Sequence, residues 1–100
     1  MDIVDIVVSY AKNYDLIIDP HFLVRLKERY GNNVPDETGL YNLMSTIKPV
    51  YCKIQSGGKY KFFYNINTKY DLIVILSCKK TLHKIILITV YPQDAKRRGN

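Results

Sequence analysis

His21, Arg25 and Arg29 recur every four residues. In a helix this spacing puts an imidazole and two guanidinium groups on one face. An imidazole titrates near neutrality and can move a proton, and a guanidinium pairs with phosphate oxygens through two parallel hydrogen bonds. Near the other end of the chain Tyr91 is followed by Lys96, Arg97 and Arg98. These supply a phenol that can assist proton transfer or stack on a base, and cations that can stabilise a phosphorane. Such groups suffice for RNA cleavage without a metal, because the RNA's own 2′-OH attacks the adjacent phosphate and the protein adds only a base, an acid and positive charge. The sequence has no glycine-rich phosphate loop, paired-carboxylate motif, metal-ligand cluster or GxSxG nucleophile. NTP hydrolysis, metal-dependent nucleolysis and acyl transfer are therefore not expected, and no cofactor or metal site is implied.

A second set of groups comes from a stretch with a period of two. Tyr51, Lys53 and Lys61 interleave aromatic and basic side chains on what would be the more polar face of a sheet, where bases stack and phosphates are neutralised. His83 opens the last apolar run, in phase with Ile85, Leu87, Thr89 and Tyr91. Eight residues of strand, roughly 27 Å, separate it from Tyr91, so one site would not use both. The Tyr91 end is preferred because the basic tail leaves from there. Cys52 and Cys78 lie in no metal-ligand spacing and are expected to be buried free thiols, the alternative being a cross-strand disulfide in a thermophile or an oxidising setting.

Charge is divided along the chain. Residues 1–47 carry four Lys/Arg against seven Asp/Glu, and residues 48–100 carry eleven against two. A half this basic is the footprint of a polyanion or an acidic protein; the bland alternative is a lysine-rich surface. No run of about 18 apolar residues occurs, so no membrane span is expected. The opening MDIVDIVV carries acids where an export signal would carry Lys or Arg, which makes the cytoplasm the expected compartment.

The elements that must hold these groups follow from periodicity. Ile3, Ile6, Val7, Tyr10, Ala11 and Tyr14 mark a first amphipathic helix. Leu16, Ile17 and Ile18 form a short strand or connector. Asp19 and Pro20 start the helix that bears His21, with Phe22, Leu23, Leu26 and Tyr30 on its buried side, and Gly31 ends it. Pro35, Asp36 and Glu37 start another, with Leu40, Leu43, Met44 and Ile47 inward. Beyond Pro49 the period becomes two, and strands near residues 50–55, 60–66, 70–78 and 82–91 are separated by turns at Ser56-Gly57-Gly58-Lys59, Asn67-Thr68-Lys69 and Lys79-Lys80-Thr81. Short connections imply antiparallel pairing in sequence order. The expected fold is a single α+β domain, residues 1–92, with two or three helices on a four-stranded antiparallel meander, followed by a basic, flexible tail at 93–100. The apolar run Ile85 to Val90 is expected at the centre of the sheet.

The order of a short strand, a helix with His21, Arg25 and Arg29, a second helix, and a meander ending in Ile88-Thr89-Val90-Tyr91 resembles the RelE/ParE-like toxin superfamily, nearest its BrnT-like and uncharacterised small members. The likeness spans about Leu16 to Arg98. It implies a ribonuclease-type α+β fold, mRNA or ribosome-associated RNA as substrate, and an acidic antitoxin as protein partner. The expected function is thus a toxin-type, metal-independent endoribonuclease. Its catalytic residues would be His21, Arg25, Tyr91 and Arg97, with Arg29, Lys53, Lys61, Lys96 and Arg98 holding RNA. The alternatives are a non-catalytic nucleic-acid-binding or protein-interaction module, or a protein that dimerises through its first helix or an open sheet edge.

Overall fold

A computed structural model describes residues 2–31, 33–79 and 84–99. Three helices, α1 (Ile3–Lys12), α2 (Pro20–Arg29) and α3 (Glu37–Thr46), pack on one face of a mixed sheet of β1 (Leu16–Ile18), β2 (Tyr51–Gln55), β3 (Lys59–Asn65), β4 (Tyr70–Lys79) and β5 (Lys84–Asp94). The α+β class expected from the sequence is present. None of these helices is long and apolar enough to cross a membrane.

Each helix begins with the same device. Asp2, Asp19 and Asp36 are N-caps whose carboxylates accept hydrogen bonds from the backbone N–H of Asp5, His21 and Gly39, at 3.0, 2.8 and 2.8 Å. Each satisfies a donor that the helix leaves orphaned and complements the positive end of its dipole. Three of the seven acids of the first half are thereby explained as local structure. The α3 cap is tight. A Cβ on Gly39 would lie 2.9 Å from the ring Cβ of Pro35 and 3.1 Å from the capping Asp36 oxygen. Gly→Ala gains about 1 kcal/mol in an open helix. Here the clash with a rigid proline ring outweighs that gain, and Gly39→Ala should lower stability by about 1 kcal/mol in urea unfolding.

The sheet departs from the expected four-stranded antiparallel meander. Its order is β1-β5-β4-β3-β2. Strands β2 to β5 pair antiparallel in sequence order, and β1 adds a fifth, parallel strand, Leu16 to Ile18 against Ile85 to Leu87. The central strand is β4, with Leu72, Ile73, Val74 and Leu76 all fully buried. β5 lies second from the edge and buries one face more than the other. Past Leu87 it has no strand on its β1 side among the described residues, and Pro92, which cannot donate to a ladder, sits in that unpaired stretch.

The helix-side core joins Val7, Phe22, Leu26, Leu40 and Met44 to Phe62, Val74, Leu87 and Val90. Strand side chains alternate between faces, so the register assigns Tyr51, Lys53, Lys59, Lys61, Phe63, Asp71, Ile73 and Lys79 to the outer face, away from the helices. In β5 the alternation breaks. Ile75 pairs with Thr89 and Leu76 with Leu87, which leaves Ile88 as a bulge. One extra residue moves every later side chain to the opposite face. Ile85 and Leu87 face the core, whereas Thr89 and Tyr91, expected in phase with them, face outward. The expected boundary at residue 92 also moves: β5 runs to Asp94, and Ala95–Arg97 form one 3₁₀ turn whose first N–H donates to the Lys69 carbonyl at 2.8 Å.

Candidate nucleic-acid interface

The α2 helix is anchored by Phe22 and Leu26, 0% and 2% exposed, and turns His21 and Arg25 to solvent. Together with Asp19 these two line a shallow groove of about 390 Å³ against Ile86, Leu87 and Ile88 of β5. The groove thus holds an imidazole, a guanidinium and the capping carboxylate, beside the point where β1 ends and the bulge begins. Arg29, one turn further on, does not join them: its guanidinium donates to the Val90 carbonyl. There it caps a backbone acceptor on the unpaired side of β5, a structural use of a residue expected to hold RNA.

Tyr91 is not in this groove. It pairs with Ile73 on the outer face, while α2 packs on the helix side. Three residues of strand, about 10 Å, also separate it from Ile88. The expected constellation of His21, Arg25, Tyr91 and Arg97 is therefore not assembled in one place. The bulge is the physical reason that Tyr91 faces away from the groove. His83 lies outside the described residues.

The basic chain end folds back over the outer face. Gln93 donates from its side-chain amide to the Arg97 carbonyl at 3.1 Å, and Lys53 Nζ lies 3.4 Å from the Gly99 carbonyl. The Arg98 guanidinium grips both carboxylate oxygens of Asp71, at 2.7 Å from Nε and 2.6 Å from Nη2, and Asn65 adds a third donor at 3.2 Å. The Asp71 side chain is wholly buried. These bonds, the Arg98 pair foremost, hold its carboxyl below the usual carboxylate range against the opposing effect of burial. Arg98 is thus the counter-ion of a buried acid and not a free contact for RNA, and the expected loose tail is tied to β4. Lys96 and Arg97 expose their side chains beside it.

The remaining expected contacts divide. Lys53 is exposed, but Lys61 is only 8% exposed, with its ammonium 5.2 Å from the centroid of the Phe63 ring. Tyr51 meets the same ring edge to face at 5.3 Å. Phe63 itself is fully buried, so this aromatic row is packed and offers Tyr51 alone to a stacking base. Cys52 and Cys78 are unpaired and half-buried. Burial, helped by the Asp2 charge, pushes the Cys52 thiol up, toward the unreactive protonated form.

Sequence reasoning passed over a clearer feature. Lys79 lies directly opposite Lys84 on the outer face, and Lys53 opposite Lys61. Like charges in cross-strand pairs cost about 0.2–1 kcal/mol each. Lys59 adds another exposed cation to this face, and among the described residues Asp71, already neutralised, is its single acid. The signal was readable as lysines bracketing the two ends of one hairpin. An acid enclosed by the run YDLIVIL was likewise a mark of a buried ion pair.

The family model of the MJ0788 family matches residues 2–76, three quarters of the chain. No curated protein and no solved structure matches.

Proposed function

We propose, for a chain that belongs to the MJ0788 family, that the protein binds RNA on the outer face of its sheet without needing to cleave it. The observation that supports this most is the segregation of charge. Four of the exposed cations of the second half, Lys53, Lys59, Lys79 and Lys84, stand on a face whose one acid among the described residues is buried and paired, and Lys79 is set against Lys84 at a cost to the fold. A polyanion converts that repulsion into attraction by releasing its counterions. With RNA as its ligand, the protein would work in the cytoplasm.

Fluorescence anisotropy with a labelled single-stranded RNA across a salt series tests the proposal. Lys79→Gln with Lys84→Gln should weaken binding about tenfold near 0.1 M salt and lower the slope of log K against log salt by about 1.4, two contacts at about 0.7 each. His21→Ala should leave both unchanged. Binding indifferent to salt, or to the double substitution, would remove the proposal.

A second reading keeps catalysis. The groove joining His21 and Arg25 to the β5 bulge favours it: an exposed imidazole and guanidinium there could serve 2′-OH attack, as the likeness to RelE/ParE-type toxins implies, with an acidic antitoxin covering the basic sheet. RNA incubated with the protein in EDTA would then gain 2′,3′-cyclic phosphate ends, and Arg25→Ala would abolish them. RNA that is bound but stays intact leaves the binding module alone standing.

A further inference from the structure

One edge of the sheet is guarded and the other is open. On the β5 side, β1, the bulge at Ile88 and the Arg29 contact to Val90 blunt the unpaired stretch. On the other side β2 is the last strand, with β3 as its single strand neighbour among the described residues. Half of its backbone donors and acceptors therefore face outward, as those of any edge strand do.

The helical layer also stops short of β2. On the helix side of this strand Ile54 is 77% exposed and Val50 51% exposed, and Ile47, just before them, is 47% exposed. Together they form an apolar shelf along an open edge. The opposite side of the same edge is basic, with Lys53 on β2 and Lys59 beside it on β3. On the shelf side the Asp2 charge is felt at the Cys52 thiol, while Asp5 is offset by Lys48, 3.6 Å away.

We infer that β2 accepts an added strand from a protein partner, and that this strand alternates acidic and apolar residues. An edge strand's free backbone groups recruit an extended segment, and alternate side chains then set specificity. Apolar residues of that segment would rest on the Val50–Ile54 shelf, where an acid would meet apolar side chains and the Asp2 charge. Its acidic residues would face Lys53 and Lys59. A second copy of this chain fits poorly, because antiparallel pairing of two β2 strands about a twofold axis near their midpoint brings Lys53 close to its own equivalent. The inference does not depend on the RNA reading, although an acidic strand at Lys53 would compete with RNA at that border of the face.

The test uses the full chain, isotope-labelled for amide NMR, and three peptides: Val-Glu-Val-Glu-Val-Glu-Val, its lysine analogue, and a peptide of the first composition with all valines in one block. The alternating glutamate peptide should shift the amide signals of Tyr51 to Gln55 and slow their hydrogen exchange, with affinity at least tenfold above that of either control. Lys53→Glu should reverse the preference toward the lysine peptide, a rescue that mere loss of folding cannot produce. Absence of shifts in residues 51–55 at roughly millimolar peptide, shifts confined to the β5 edge, or equal response to all three peptides would overturn it. So would a dimer in sedimentation that Ile54→Asp dissociates, since a second copy would then be the occupant.

Discussion

Phe22→Ala is expected to destabilise the protein by about 3–5 kcal/mol, the range for deleting a fully buried aromatic ring. The ring has no exposure and stands near the start of α2. It belongs to the buried core that also holds Leu87 and Val90 of β5. Collapse of the cavity would have to move α2 toward β5, and the one-residue link to β1 and the Arg29 contact to Val90, at its two ends, oppose that movement. The cost should therefore fall in the upper part of the range. A domain of this size has about 5–15 kcal/mol in all, so thermal unfolding followed by circular dichroism should show the midpoint falling on the order of 20 °C. Val24→Ser on the same helix, at a site 54% exposed, should shift it by no more than a few degrees. A small effect at Phe22 would mean that α2 can be re-seated, and with it the His21–Arg25 groove.

What the sequence disclosed, and what it hid, follows from the range over which each interaction acts. The helices were legible because their signals are local: an Asp three or fewer residues before the donor it caps, and apolar residues three or four apart. The hairpins were legible because Ser56-Gly57-Gly58 and Asn67-Thr68-Lys69 bring adjoining strands together within a few residues. The place of β1 was not, since three residues carry no period and the strand's partner begins at Ile85, 69 positions after Leu16. Nor could periodicity rank two apolar runs, Leu72 to Leu76 and Ile85 to Val90, for the sheet centre. Burial on both faces by neighbours distant in sequence decided for β4.

The candidate site departs from expectation for a related reason. Placing Tyr91 on the face of Leu87 requires an unbroken alternation, and a bulge leaves no mark in the run Ile85-Ile86-Leu87-Ile88, where every residue is apolar. The extra residue, Ile88, is one more isoleucine between Leu87 and Thr89. Arg98 counts as a free cation in the sequence because its partner, Asp71, lies 27 residues away on another strand. Charge counting along the chain nevertheless reaches the basic outer face. That face is assembled from β2 to β5, which are consecutive in sequence, so its composition survives folding even where individual roles do not.

The role of Arg98 leads to the second large effect. Arg98→Met should lower the thermal midpoint on the order of 10 °C, because it leaves the Asp71 carboxylate buried with only Asn65 as a side-chain donor. Arg98 itself is about a third exposed, which keeps the loss below that of a fully enclosed pair. The effect should depend on pH in a fixed direction. In the folded chain Asp71 ionises below the ordinary carboxylate value, chiefly because Arg98 donates to it; unfolded, it returns to that value. The pair therefore contributes fully above the ordinary value, near 4, and its contribution is lost as pH falls through that value toward the lower folded one. Equilibrium unfolding of wild type and Arg98→Met at pH 7 and again below pH 4 should show a gap that is wide at the first and closes at the second. Arg98→Met combined with Asp71→Leu should recover most of the midpoint, since replacing both members by apolar groups removes the stranded charge. A gap constant across this range would show that Arg98 acts by packing its stem on the sheet. In that case the guanidinium would remain available for phosphate, and the chain end would return to the set of groups that hold RNA.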